Sequence, residues 1–191
     1  KSFLYFEINQ QNNSKLKFIT FQSNNIHTRN EFFSSLEENC SLDLYGLNIH
    51  NHGVNDNYSF IQHMKPSSQS REVFKSIVDN GAVTNFQGKI YVDSVAQKTD
   101  GYQMSRSLIL DNDSKANNKP ELEIYADDVK CSHGSTVSKL NQDQVYYFKS
   151  RGIDEEQALK ILQKAFLVET LEVIENSQIK EYSYNLLEMR L

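Results

Sequence analysis

With 38% hydrophobic and 24% charged residues over 191 positions, the chain carries enough apolar material for one sizeable core, which excludes a disordered protein. No apolar run reaches the length that crosses a bilayer as a helix, and no secretory signal opens the sequence. A formal net charge of −5 with no evident basic face argues against nucleic acid as the main partner.

The first residue is Lys1 and residues 3–8 already alternate like a strand, so the sequence reads as a fragment whose native N-terminus is missing. Up to about Val137 the pattern has period two or short apolar runs. Expected strands are Phe3–Ile8, Leu16–Phe21, Leu42–Leu47, Ser59–Gln62, Val73–Val78, Val83–Phe86, Lys89–Val92, Ser107–Leu110 and Glu121–Tyr125, parted by Asn, Ser, Asp and Gly. Glu31–Asn39 is expected to form one or two helical turns. Nine short strands without long helices between them exclude a doubly wound sheet and leave a sandwich, a barrel or a solenoid. Hairpin dipeptides are scarce, Asp79-Asn80-Gly81 and Asp100-Gly101 being the exceptions, and that scarcity favours stacked parallel coils although no strict repeat is visible.

Past Val137 the signals turn helical. Asn141 to Gln144 reads as a capping box stapled by Leu140 and Val145, and Asp154 to Gln157 repeats the device with Ile153 and Ala158. From Glu155 the apolar positions Ala158, Ile161, Leu162, Ala165, Phe166 and Leu171 follow helical spacing. A second helix is expected over Gln178–Met189 with Tyr182, Leu186 and Met189 on one side. From Asp154 onward eight acidic and four basic residues concentrate the negative charge. The aliphatic and aromatic residues of Glu155–Leu171 recur almost all the way round, so part of that helix is as suited to a partner as to a core.

Chemistry-bearing residues are few. Cys40 and Cys131 are expected to be free thiols. Cys131 and His133 stand two apart, so an extended backbone puts thiol and imidazole on one face, where they could bind a soft metal or handle sulfur. On spacing alone a packing role for Cys131 is the simpler reading, because a closed metal site needs further ligands. His50, His52 and His63 lack a completing acid or thiol, and their role is left open. Asp127-Asp128 reads as a solvated turn. Phosphate-binding, hydrolase and metalloprotease motifs are absent. A solenoid carbohydrate enzyme would need clustered carboxylates, and the sequence gives it little support.

The joint spacing of residues 120–153, PELEIYADDVKCSHGSTVSKLNQDQVYYFKSRGI, and of residues 73–110, VFKSIVDNGAVTNFQGKIYVDSVAQKTDGYQMSRSLIL, resembles the SufB/SufD family of iron–sulfur cluster assembly proteins. The convincing match covers about residues 50–175. It is similar to the SufD side of the family: C-S-H-G stands where SufB-like sequences carry a Val-Glu-His-Glu-like segment, and Gln103-Met104-Ser105 lacks a cysteine that SufB carries nearby. Ser135 departs slightly from the family's usual His-Gly-Ala. The resemblance implies a mainly β fold, a right-handed parallel β-helix over residues 1–138, followed by a small helical region over 139–191. It implies a non-enzymatic scaffold of the SufBCD complex that pairs with SufB through the β-helix and binds the SufC ATPase through its helices, near Arg151, Ala158, Leu162, Ala165 and Phe166. A transient iron–sulfur cluster would form at the SufB–SufD interface with no cofactor tightly bound, His133 being the implicated residue and Cys131 a weaker candidate. Homodimers of the isolated chain and a cytoplasmic or plastid-type location are further expectations, and the alternative to the scaffold is a structural homodimeric β-helix module in which Cys131 and His133 only pack and have no direct role in cluster or sulfur ligation.

Overall fold

The computed structural model describes residues 1–23 and 26–190. Ten strands come first: β1 (Ser2–Gln10), β2 (Lys15–Ser23), β3 (Thr28–Leu36), β4 (Ser41–His50), β5 (Val54–His63), β6 (Gln69–Val78), β7 (Val83–Val92), β8 (Thr99–Ile109), β9 (Lys115–Ile124) and β10 (Val129–Lys139). Odd-numbered strands form one sheet in the order β1-β3-β5-β7-β9, and even-numbered strands a second in the order β10-β8-β6-β4-β2. Every pairing is parallel. Each pair of consecutive strands is therefore one coil of a β-solenoid about five turns long, the parallel architecture that the resemblance implies.

The register explains why no repeat is visible in the sequence. The first sheet pairs Ser2 with Thr28, Thr28 with Asn55, Val54 with Val83 and Val83 with Lys115, so each coil is longer than the last. The corners, not hairpins, carry the special backbone conformations. Asn13, Asn39, Ser67 and Lys98 all have positive φ at the same corner of successive coils. The N–H of each donates to the coil above: to Glu38, Pro66, Gln97 and Asp128 carbonyls respectively. Asn39 Nδ2 also donates to Asn13 Oδ1 at 2.7 Å, so part of the chain's asparagine content is a corner ladder. Asn80-Gly81 is indeed a left-handed turn, but it joins strands of different sheets, and Asp100-Gly101 lies inside β8.

Two expectations need correction. Glu31–Asn39 is not helical: β3 alternates fully, with Phe32, Ser34 and Leu36 inward and Phe33 outward, where its ring meets Tyr5 and Tyr58 of the flanking strands. Apolar residues at 32, 33 and 36 satisfy either period, and parallel pairing on both sides decides for the strand. Val83–Phe86 and Lys89–Val92 are one strand, β7, interrupted in pattern only by Gln87 and Gly88.

Inside the solenoid an aromatic layer of Phe32, Leu44, Phe74 and Phe86 lies beside an aliphatic layer containing Leu36, Leu42, Ile61, Ile90 and Val92. A third buried region is polar and paired: Asn30 Nδ2 donates to Asn57, Asn55 Nδ2 to Thr28, and Asn48 Nδ2 to Ser76.

Three helices follow: α1 (Gln142–Ser150), α2 (Glu155–Leu171) and α3 (Ser177–Glu188). Asn141, Asp154 and Asn176 cap them, accepting from the N–H groups of Asp143, Gln157 and Ile179. The helical region expected over 139–191 reaches Leu191, which lies outside the described residues. Leu167 and Leu171 of α2, with Leu187 of α3, pack on Leu47, Ile49, Ile77 and Leu108 of the outer face of the even-numbered sheet. The side of α3 that carries Tyr182, Leu186 and Met189 is not its packed one. Leu187 is its buried residue, while Tyr182 and Met189 are 64% and 70% exposed.

An ion pair fastens α2 to the sheet. Lys75 Nζ donates to the Phe166 carbonyl and to Glu169 Oε2, both at 2.8 Å, and its side chain is only 4% exposed. Lys75→Ala removes two charge-assisted bonds and should cost about 1.5–3 kcal/mol. The loss should be local, with faster amide hydrogen exchange in α2 and unchanged protection in β6. Equal loss in both elements would show that α2 and the sheet unfold together.

Candidate functional site

The C-S-H-G segment lies on β10, the final strand of the even-numbered sheet, which pairs with β8 alone and leaves its other edge open. Its register sets Cys131 over Gly101 and His133 over Gln103. The two residues do share a face, and it is the inward one. Cys131 packs on the aliphatic layer, where its Sγ lies 3.2 Å from the position a Cβ on Gly101 would take. Desolvation raises the Cys131 thiol above its ordinary value, against a smaller opposing effect of the Gly101 N–H, so the thiolate is disfavoured. Gly134, the residue after His133, lies on the outer face, where a Cβ would stand 2.8 Å from Met104 Cε.

His133 differs from Cys131 because no coil covers it. It continues the inward column Phe18, Leu44, Glu72, Gln103, yet it is solvent-exposed. Across the interior the facing column is Phe6, Phe32, Ser59, Gly88, Pro120. The site is thus an imidazole at the open end of a solenoid whose last layers are polar on one wall and small on the other.

Below His133 sits a carboxyl group that the sequence reading passed over. Glu72 is fully buried, and Gln103 Nε2 donates to its Oε2 at 2.6 Å. Desolvation pushes Glu72 up from 4.5 to about 7, opposed by Ser59 and Gln103. Ser59 lies near enough to favour the carboxylate but outside hydrogen-bond geometry, so Ser59 Oγ and Glu72 Oε1 remain unpaired. A signal was available: in Arg71-Glu72-Val73-Phe74 strict alternation puts Glu72 on the face of Phe74.

The other histidines do not join this site. His63 is buried, with Nδ1 at 2.6 Å from Ser68 Oγ and Nε2 at 2.8 Å from Ser70 Oγ, and burial lowers it from 6.5 to about 4. His50 is buried at the end of β4, and exposed His52 lies in the following turn with Nδ1 at 3.1 Å from the Asn80 carbonyl oxygen. Asp127 and Asp128 are exposed in the turn before β10. Among the described residues no three His, Cys, Asp or Glu side chains are gathered to hold a metal ion.

The helical residues divide differently. Ala158 is fully buried and Leu162 and Phe166 are half-buried, whereas Ala165 and Arg151 are exposed, Arg151 lying over the Tyr147 ring. Ile161, Ile179, Tyr146 and Tyr147 are also exposed. No helix among the described residues is long and apolar enough to cross a membrane.

The fold class is a parallel β-solenoid with an open final strand and a docked helical tail. Residues 2–166 match the family model for the SUF system FeS cluster assembly, SufBD core domain. The chain belongs to this SufBD family of iron–sulfur cluster assembly proteins. It is 38% identical over 128 residues to the iron-sulfur cluster assembly protein SufD of Escherichia coli, covering 67% of this chain and 30% of that protein. It is 42% identical over 121 residues to a SufBD family protein of Synechocystis, covering 63% and 27%. The chloroplastic protein ABCI7 of Arabidopsis thaliana is 41% identical over 121 residues, covering 63% and 26%. The matched region spans less than a third of the length of these relatives.

Proposed function

We propose that this chain is a SufD-type scaffold subunit, itself without catalytic activity, that pairs with SufB at the open end of its solenoid and binds the SufC ATPase through its helical tail. The observation that carries the reading is His133: an exposed imidazole on an edge strand whose outer edge is open, at the head of an inward column. A nascent cluster needs ligands that can let go, so an incomplete set completed by a partner suits transient assembly. Cys131 is the second candidate, held back by its half-buried, protonated thiol.

The two sheet edges at this end support one mode of pairing. Pro120 stands in the middle of β9 and lacks an N–H, which blunts the odd-numbered sheet as a template. β10 has no proline, so a partner strand, from SufB or from a second copy in the isolated chain, adds to the even-numbered sheet. Exposed Tyr146, Ile161, Tyr182 and Met189 give the tail an apolar surface for SufC. A cytoplasmic or plastid location accords with the bacterial and chloroplastic relatives.

The test is anaerobic reconstitution with SufB and SufC, followed by the visible absorbance of the cluster. His133→Ala should remove most of it while the complex still forms on a sizing column. Full cluster absorbance with that variant would refute the site.

A further inference from the structure

Polar groups inside this solenoid are paired almost wherever they occur, the asparagine network included. Among the described residues Gln10 Oε1, Ser34 Oγ, Ser59 Oγ and Glu72 Oε1 are exceptions, and one more sits directly beneath His133. Gln103 is fully buried; its Nε2 is committed to Glu72, and its Oε1 has no hydrogen-bond partner among the described residues. Above its raised value Glu72 is a carboxylate that only accepts, so it fixes the amide with nitrogen toward itself and turns the oxygen away. Across the interior Gly88 has no side chain and Pro120 has neither side-chain nor backbone N–H, while the Ser59 hydroxyl, one coil down, lies toward Glu72 and makes no hydrogen bond to Gln103. Gly88 is also what admits the amide, since a Cβ there would stand 2.4 Å from Gln103 Nε2. The next residue along the column is His133, the register partner of Gln103 on β10.

We propose that Gln103, anchored by Glu72, is a positioning residue for His133: its free amide oxygen accepts one imidazole N–H and leaves the other ring nitrogen, unprotonated, facing the open end. This rests on the reading of His133 given above. A histidine that ligates a metal through one nitrogen commonly donates from the other to a carbonyl or carboxylate, which fixes both tautomer and ring orientation. Here that acceptor comes from the coil below. A buried unpaired oxygen is costly in the free chain, and the imidazole is the donor that relieves it.

Two-bond proton–nitrogen correlation spectra of the histidine rings, recorded near pH 8 where imidazole is neutral, report the tautomer directly. His133→Ala assigns the signals. In the unaltered chain His133 should show one dominant tautomer, with well-separated ring nitrogen shifts. Gln103→Met, close in volume and without the acceptor, should move those shifts toward the averaged values of free histidine. Glu72→Gln, a milder change that loosens the anchor, should move them part of the way. Averaged shifts in the unaltered chain, or shifts unmoved in both folded variants, would overturn the proposal. The cluster assay of His133→Ala is read separately: normal cluster formation there, with a Gln103-dependent tautomer, would refute the ligand role while leaving the contact established.

Discussion

Glu72→Gln is expected to make stability rise more steeply with pH between pH 4.5 and 6.5 than it does in the unaltered chain. Burial raises Glu72 from 4.5 to about 7. Between those values the folded state holds a proton that the unfolded state has released, so stability falls as pH rises, at about 1.4 kcal/mol per pH unit and about 3 kcal/mol in all. Burial lowers His63 from 6.5 to about 4. Between those values the unfolded state holds the extra proton, so stability rises with pH at a similar rate. The two windows overlap from 4.5 to 6.5, and the opposed slopes cancel there. Both groups are buried, so solvent screening removes little of either effect.

Each variant should expose the slope of the other group. Glu72→Gln leaves His63 unopposed, and urea midpoints should climb between pH 4 and 6.5. His63→Gln leaves Glu72 unopposed, and midpoints should drop between pH 4.5 and 7. All remaining titrations are shared with the unaltered chain and drop out of the comparison. Profiles that stay parallel to it in both variants would show that neither group titrates as its burial requires.

These groups show where sequence reading stops. Alternation located most strands, because a parallel solenoid buries one side of each strand and the period-two signal survives. Asn141 and Asp154 announced their helices, because a cap is a local device that needs no tertiary partner. β10 left only a weak trace: beyond Val129 and Cys131 its inward positions face the open end, so His133 and Ser135 meet water and no apolar pattern is imposed. Gly88 split β7 because its role, making room for Gln103, is a contact between coils. Tyr182, Leu186 and Met189 share one side of α3, but spacing cannot say which side of an amphipathic helix meets the sheet, and Leu187 is the residue that does. His133 was found through the family resemblance and its spacing to Cys131. The Glu72–Gln103 pair, invisible as a motif, needed the register.

The aromatic layer is the floor of that wall, since Leu44 and Phe32 precede Glu72 and Ser59 in their columns. Its centre is Phe74, whose ring is 5.0 Å from Phe86 and 5.9 Å from Phe32 and covers Gly46 on the neighbouring strand. A Cβ on Gly46 would lie 2.3 Å from two ring carbons of Phe74, and the rings behind Phe74 prevent it from retreating. Gly46→Ala alone should therefore cost about 2–3 kcal/mol through overpacking. Phe74→Ala alone should cost close to 5 kcal/mol, the upper end for a buried phenylalanine, because a glycine wall has no side chain to relax into the cavity. The double variant removes the clash and lets the new methyl occupy part of the vacated space. Its cost should fall below that of Phe74→Ala plus Gly46→Ala by about 2 kcal/mol or more, measured by urea unfolding. Strict additivity would mean that Gly46 is not held to glycine by the Phe74 ring, and that the layer supporting Glu72 is looser than its packing shows.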